Sequence, residues 1–166
     1  MCRLHKLPLA LTWISSCDFD DLYIKKAACY VNDSSMQGYF TACAGNPLKK
    51  GQHVAGKAVN SLHEYSVPDV SLLDLADYPF ANDARKFGLR AAMAVGLKCK
   101  PIGKIEFVSE IFLPTNLEDS VEQNVLINEI LLSLHKNCED SETMELQIES
   151  LIYQQVCLFI CLMLFL

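Results

Sequence analysis

Several signatures that usually announce chemistry are missing from this chain. No G-x-S-x-G turn presents a serine nucleophile, and none of His5, His53, His63 and His135 has a partner carboxylate or cysteine at a spacing that would make it a base. The cysteines contain no C-x-x-C pair and no finger-like Cys–His set, so neither a zinc ribbon nor a dithiol redox motif is present. They read as buried, reduced thiols used as small hydrophobes. Positive charge is scarce, 14 Lys and Arg against 20 Asp and Glu, and falls in short spots at Lys25-Lys26, Lys49-Lys50 and Arg85-Lys86. Such a surface neutralises phosphates poorly, and no direct DNA binding is expected of it. No apolar run reaches the ~18–20 residues that a membrane-spanning helix needs. The longest, Val156 to Leu166, reads as a packed helix end or as read-through past a splice site rather than an anchor. The first sixteen residues are interrupted by Pro8 and lack a small-x-small cleavage site, so they read as a connector rather than a signal peptide.

What is present suits a globular domain. With 166 residues and 51% apolar composition, one domain with a real core is affordable, plus a tail. Leu9–Ser15 and Lys25–Val31 read as strands, with turn chemistry at Asn32 to Ser35. Met36 to Cys43 is ambiguous, and Gly45-Asn46-Pro47 stops any helix there. A short helix is expected over Val54 to Leu62, entered from Gly51-Gln52, then an extended stretch from Tyr65 to Val70. Pro79 to Phe87 reads as a helix with proline in its first turn and Gly88 at its C-cap. Ala91 to Cys99 is nearly all apolar, as a central strand buried on both faces would be. Ile105 to Leu113 alternates, with Ile105, Phe107, Ile111 and Leu113 on one side and Glu106 and Glu110 on the other. Ser120-Val-Glu-Gln123 fits a capping box. Ile127, Ile130, Leu131, Leu134 and Cys138 then form one helical stripe, and Met144, Ile148, Leu151 and Ile152 a second beyond the Glu139 to Glu142 break. Strands with interleaved short helices imply an α+β fold, an antiparallel sheet with helices packed on its faces.

One stretch comes close to a phosphate loop. Gly51-Gln-His-Val-Ala-Gly56-Lys57-Ala58 matches G-x-x-x-x-G-K but ends in alanine where a Mg²⁺-holding hydroxyl is required. Nucleotide hydrolysis is therefore not expected. Small-anion binding suits the region better, with outward amides at a helix start, nearby Lys49, Lys50, Lys57, Arg85 and Arg90, and the hydroxyl of Tyr78. The competing reading packs the Tyr78 ring and solvates the basic residues. His53, beside the helix start, is the one histidine of interest.

The segments CRLHKLPLALTWISS (2–16), AACYVNDSSMQGYFTAC (27–43), GQHVAGKAV (51–59), PDV (68–70), DYPFANDARKFGLRAAMAVGL (77–97) and EIFLP (110–114), with Glu122-Gln123, carry a family resemblance. From about Cys2 to Cys138 the chain resembles the amino-terminal region of plant NIN-like proteins, RWP-RK transcription factors of nitrate signalling. The resemblance implies a GAF-like fold over 2–138, followed by an acidic segment and apolar helical tail over 139–166. It also implies nitrate contacts: Leu48 and Tyr78 match the family's residues, Asn46 stands where a histidine is usual, and Gln37 replaces an aromatic. Asn46 can donate through its amide but cannot carry positive charge, so weakened nitrate affinity is expected. Relative to the family, the helix before CRLHKLPLA is missing, the segment from Cys17 to Ile24 is short, and the RWP-RK and carboxy-terminal interaction domains are absent.

The expectation is therefore a non-catalytic sensory module of a transcription regulator of nucleus and cytoplasm. It has no cofactor, metal or membrane span, and it contacts nitrate or another small anion through Asn46, Leu48 and Tyr78 with Arg85 behind them. The alternative is a ligand-free module that pairs, as homo- or hetero-oligomer, through its C-terminal helices.

Overall fold

The computed structural model describes residues 2–15, 21–24, 29–32, 34–59, 64–99 and 104–140. Among these, the strands are β1 (Leu9–Ser15), β2 (Asp21–Ile24), β3 (Tyr30–Val31), β4 (Leu48–Lys49), β5 (Tyr65–Val67), β6 (Ala92–Cys99) and β7 (Lys104–Phe112). The helices are α1 (Gln37–Ala44), α2 (His53–Val59), α3 (Ala81–Lys86) and α4 (Ser120–Asp140), with short 3₁₀ turns at Ser34–Met36 and Val70–Leu72. The strands form one antiparallel sheet in the order β4-β2-β1-β7-β6-β5. β1 pairs with β7 along one edge; its other edge is shared, Trp13 to Ser15 facing β2 and Leu9 to Ala10 facing β3.

Period-two alternation sorts the strand side chains onto two faces. On one face Leu9, Leu11, Trp13, Ala92, Ala94, Val108 and Phe112 pack with Tyr39, Val54, Tyr78 and Ala84 from α1, α2, α3 and the loop before α3. On the other, Ala10, Met93, Phe107, Ile111 and Leu113 pack with Ile130 and Leu134 of α4. The α+β expectation therefore holds, with both faces of the sheet covered by helix.

Local chemistry explains most boundaries. β1 begins and ends where the sequence places it. The ambiguous Met36 to Cys43 stretch becomes α1, and its end at Ala44 falls just before Gly45. α3 ends at Lys86 with Phe87 as its C-cap, and Gly88 takes the left-handed conformation at φ 69° that glycine adopts at lowest cost. β6 is covered on both faces from Ala92 to Ala94, as its unbroken apolar run predicts, although it lies next to the edge strand β5.

Strands β2 and β4 form where the sequence reading placed none, α3 begins at Ala81 and so leaves Pro79 before the helix, and two further details differ. The cap of α4 is Asp119, not Ser120: its Oδ1 accepts from the backbone N–H groups of Val121 (2.9 Å) and Glu122 (3.0 Å). Gln123 donates to the carbonyl of Leu117 at 2.9 Å, fastening the approach to the helix rather than closing a box with Ser120. Val70 opens a 3₁₀ turn instead of continuing the extended stretch, because Asp69 Oδ1 captures the Ser71 N–H at 2.9 Å. Of the expected strand over Lys25–Val31, only Tyr30–Val31 is seen to pair, residues 25–28 lying outside the described residues, as do 60–62 at the end of the expected α2. The second stripe and the apolar tail fall outside them too.

Candidate functional site

The face of the sheet under α1, α2 and α3 holds an unusual set of buried polar groups. Glu110, in the middle of β7, is 1% exposed. Its neighbours across the ladder are Leu11 of β1 and Ala94 of β6. Sheet alternation sends its carboxylate toward the helices, into the packed interior rather than toward water. There Oε2 accepts the Trp13 indole N–H at 2.8 Å, and Oε1 accepts the Tyr78 hydroxyl at 3.2 Å. Tyr78 and Tyr39 bring their hydroxyl oxygens within 2.6 Å of each other. The result is a continuous line of hydrogen bonds, Tyr39–Tyr78–Glu110–Trp13, joining α1, the loop before α3, β7 and β1. Around it the rings of Phe80, Phe87 and Phe112 meet Tyr39 edge-on at 5.4 to 6.4 Å between centroids.

Burial dominates the protonation of these groups. It pushes both phenols well above their ordinary range, and the neighbouring Glu110 charge adds to that, so both keep their protons. Burial also lifts the Glu110 carboxyl to about 7, against the opposing pull of the Trp13 and Tyr78 hydrogen bonds. Among the described residues no lysine or arginine pairs with Glu110.

His53 lies beside this line. Its ring is tilted against Tyr78 at 5.1 Å and against Phe80 at 6.0 Å between centroids. The residue is 1% exposed, yet neither Nδ1 nor Nε2 has a hydrogen-bond partner among the described residues. Buried polar atoms are nearly always satisfied, so two unpartnered nitrogens on one ring call for an explanation. Desolvation lowers the imidazole to about 4, outweighing the attraction of Asp77, so the ring is neutral at ordinary pH. Its backbone is held at φ 67°. That conformation is costly for a residue with a Cβ, and it is fixed by the His53 N–H donating to the Asp77 carbonyl at 3.1 Å.

The four residues singled out by sequence separate into two pairs. Leu48 and Tyr78 are buried in the same core cluster as His53's neighbours Val54 and Phe80. Asn46 is exposed and spends its amide on the Ala42 carbonyl at 2.9 Å, at the end of α1. Arg85 is exposed as well: Nη2 donates to the Ser71 carbonyl at 2.5 Å and Nη1 to Asn82 Oδ1 at 3.1 Å. Of the other cations, Lys57 donates to the Tyr65 hydroxyl at 3.3 Å and Arg90 to Glu118 at 3.3 Å. Lys57, Arg85 and Arg90, which cluster in sequence, therefore do not converge on Tyr78. Of the amides that open α2, that of His53 is spent on the Asp77 carbonyl.

Glu110 is the group that sequence reasoning passed over. Its position in an alternating strand placed it opposite Phe107 and Ile111, but only the covering helices make that second side an interior. Among the described residues Cys2, Cys29 and Cys43 are buried thiols outside any disulfide, in line with the sequence reading. No group of three or more His, Cys, Asp or Glu among the described residues could hold a metal ion, and no described helix is long and apolar enough to cross a membrane.

The model of the NLP protein GAF domain matches residues 1–142. Protein NLP2 of Oryza sativa subsp. japonica is 36% identical over 162 residues, covering 86% of this chain and 17% of that protein. Protein NLP8 of Arabidopsis thaliana is 34% identical over 157 residues, covering 86% of this chain and 16% of its own length. The chain thus spans less than a fifth of these curated relatives. Among solved structures, NreA from Staphylococcus aureus, mutated in its nitrate binding site, superposes with a TM-score of 0.50 at 15% identity, covering 69% of this chain and 78% of NreA. The GAF domain of A. Aeolicus nlh2 gives 0.50 at 17% identity, covering 75% of this chain and 68% of that one. At these identities the likeness speaks for the fold, a curled antiparallel sheet with helices of the GAF kind.

Proposed function

The chain belongs to the NLP protein GAF domain family, and on that premise we propose that it is a regulatory, non-catalytic module that binds a small oxyanion, nitrate first, in its interior beside Tyr78. The observation that carries this reading is His53: a buried imidazole, unpartnered at both nitrogens, packed on the tyrosine that the family resemblance marks as a ligand contact. A neutral imidazole can donate one hydrogen bond to an oxyanion, and the leucine and aromatic walls suit an anion that is weakly hydrated. Leu48 forms part of that wall. Asn46 and Arg85 act from outside it, Asn46 by fastening the end of α1 two residues before Leu48 and Arg85 by tying α3 to Ser71.

Nothing in the site resembles bond-making machinery, since its hydroxyls are phenols kept protonated and its thiols are buried and pushed up. Ligand binding would act by favouring one conformation of the module within a longer plant regulator of transcription, working in nucleus and cytoplasm. Titration calorimetry with sodium nitrate, and sodium chloride as control, tests the reading. Nitrate heat exceeding chloride heat, lost in Tyr78→Phe, is the expected result; equal heats for the two salts would remove it.

A second reading is favoured by one further feature. On α4, Val121, Val125 and Leu132 are 67%, 54% and 71% exposed. With Leu117 and Leu126, the two valines line an open apolar groove at the helix's first turns. This is where a pairing module would make its contact.

A further inference from the structure

We propose that the interior site takes up its anion together with one proton, accepted by Glu110, and that this proton converts Tyr78 from a donor to the glutamate into a donor to the anion. The inference rests on the small-anion reading and adds to it a second ligand and a residue that controls affinity.

It follows from counting protons along the buried line. An ionised carboxylate has no proton to give, so it can only accept. It takes the Trp13 N–H on Oε2 and the Tyr78 O–H on Oε1. A phenol has one proton. With that proton directed at Glu110, Tyr78 can only accept at its other lone pair, and Tyr39 supplies the donor across the 2.6 Å contact. In this state Tyr78 has nothing to offer an anion. Protonation of Oε1 reverses the bond: the glutamic acid donates to Tyr78, Tyr39 continues to donate, and the Tyr78 proton becomes free to turn toward a ligand. Trp13 is undisturbed, because Oε2 still accepts.

Charge argues in the same direction. An anion hydrogen-bonded to the Tyr78 oxygen would stand two hydrogen-bond lengths, or ~5 Å, from the carboxylate, in an interior where like charges are poorly screened. Two negative charges so placed exclude one another unless one takes a proton. Among the described groups facing the site from each surrounding element, Lys57 alone brings positive charge, and its ammonium is held by Tyr65 at 3.3 Å. Tyr39 and Cys43 of α1 are neutral, buried and raised. His53 of α2 is kept neutral by burial, with Asp77 favouring its charge and Lys57 on the same helix disfavouring it. Asp83 of α3, felt through Cys43, adds further negative charge. The Glu110 carboxyl, at about 7, is the group whose proton occupancy changes near neutral pH.

The test is calorimetry of the full chain with sodium nitrate between about pH 5.5 and 8.5, in pairs of buffers that differ in protonation enthalpy, with sodium chloride as control. The expected result is uptake of about one proton per nitrate above neutrality and an affinity that weakens about tenfold per pH unit there. Glu110→Gln keeps the shape, accepts from Trp13 and donates to Tyr78 permanently; its affinity should be flat with pH and, at pH 8, about tenfold tighter than the unaltered chain's. The resonance of the indole N–H of Trp13, the chain's single tryptophan, should titrate with the carboxyl in the free protein and not in Glu110→Gln. If Glu110→Gln fails to fold, the buffer pairs and the indole titration decide the matter on the unaltered chain. Nitrate binding with no proton uptake and no pH slope would overturn the proposal and leave the receptor reading intact. A slope that survives in Glu110→Gln would also overturn it, by assigning the proton elsewhere. Absence of nitrate-specific heat at every pH would overturn both.

Discussion

At the scale of single residues, the molecule is unusual in burying two titratable groups whose shifts oppose each other. The carboxyl of Glu110 is raised from 4.5 to about 7, so the fold holds a proton that the unfolded chain releases between those values. Stability from this group is therefore fully present below about 4.5 and lost as pH rises through about 7, an effect of about 3 kcal/mol. The imidazole of His53 is lowered from 6.5 to about 4, so its contribution is present above 6.5 and lost as pH falls through about 4. In the unaltered chain the two slopes largely cancel between them. Glu110→Gln should expose the histidine slope, with denaturant midpoints falling on acidification below about pH 6.5. His53→Asn, chosen because asparagine tolerates a positive φ, should expose the glutamate slope, with midpoints falling as pH is raised from about 4.5 to 7. Parallel slopes in the two variants would mean that neither group carries the burial described here.

At the scale of elements, α1 and α2 each make a close approach at a glycine, but only that of α2 is against backbone. A Cβ on Gly56 would stand 2.5 Å from the Lys49 carbonyl oxygen and 3.3 Å from the Gly51 nitrogen, both backbone. A Cβ on Gly38 would stand equally close, 2.5 Å, to Phe87, but there the atom met is the tip of a half-buried ring. The distances match and the neighbours do not. Gly56→Ala should cost about 1–3 kcal/mol by urea denaturation, since β4 must move and carry Leu48 with it. Gly38→Ala should cost distinctly less, as the ring can rotate aside. Equal losses would show that α2 and β4 are not as tightly apposed as the geometry requires. These glycines also explain how the near-phosphate-loop pattern arises: Gly51 supplies a positive φ of 83° and Gly56 a close helix–strand contact, with no phosphate involved.

At the scale of the whole molecule, α4 closes one face of the sheet with Ile130 and Leu134 and leaves Val121, Val125 and Leu132 outward. A helix apolar on both sides is costly to leave in water. If the outward face mediates pairing, sedimentation of the full chain should show a mass that depends on concentration, and Val125→Glu should shift it to the single-chain value while leaving the Trp13 emission unchanged. A single-chain mass at every concentration would dispose of the pairing reading without touching the interior site, because the two lie on opposite faces of the sheet.

How much of this could be read in the chain follows from what each property depends on. Strand β1, helix α3 with Gly88 beyond it, the two-sided apolar β6 and the α4 stripe were legible because their signals are local: alternation, capping chemistry and glycine conformation act within a few residues. The α+β class followed from their order. Leu48 and Tyr78 were legible through ordered blocks shared with a family, and His53 only as a residue next to a helix start. Interior placement is a different kind of property. Glu110 sits in an alternating strand at a position that any sequence reading would leave in water; three helices brought from elsewhere in the chain make it an interior carboxyl, and residues 97 positions apart in Trp13 and 32 apart in Tyr78 satisfy it. Asn46 and Arg85, equally plausible as ligand contacts by sequence, are drawn outward by partners three to fourteen residues away. The sequence alone determined which segments are strands and helices, because backbone preference and hydrophobic period are short-range. Only the tertiary structure decided which polar groups share a desolvated space, because desolvation belongs to what surrounds a side chain in three dimensions and not to its neighbours along the chain.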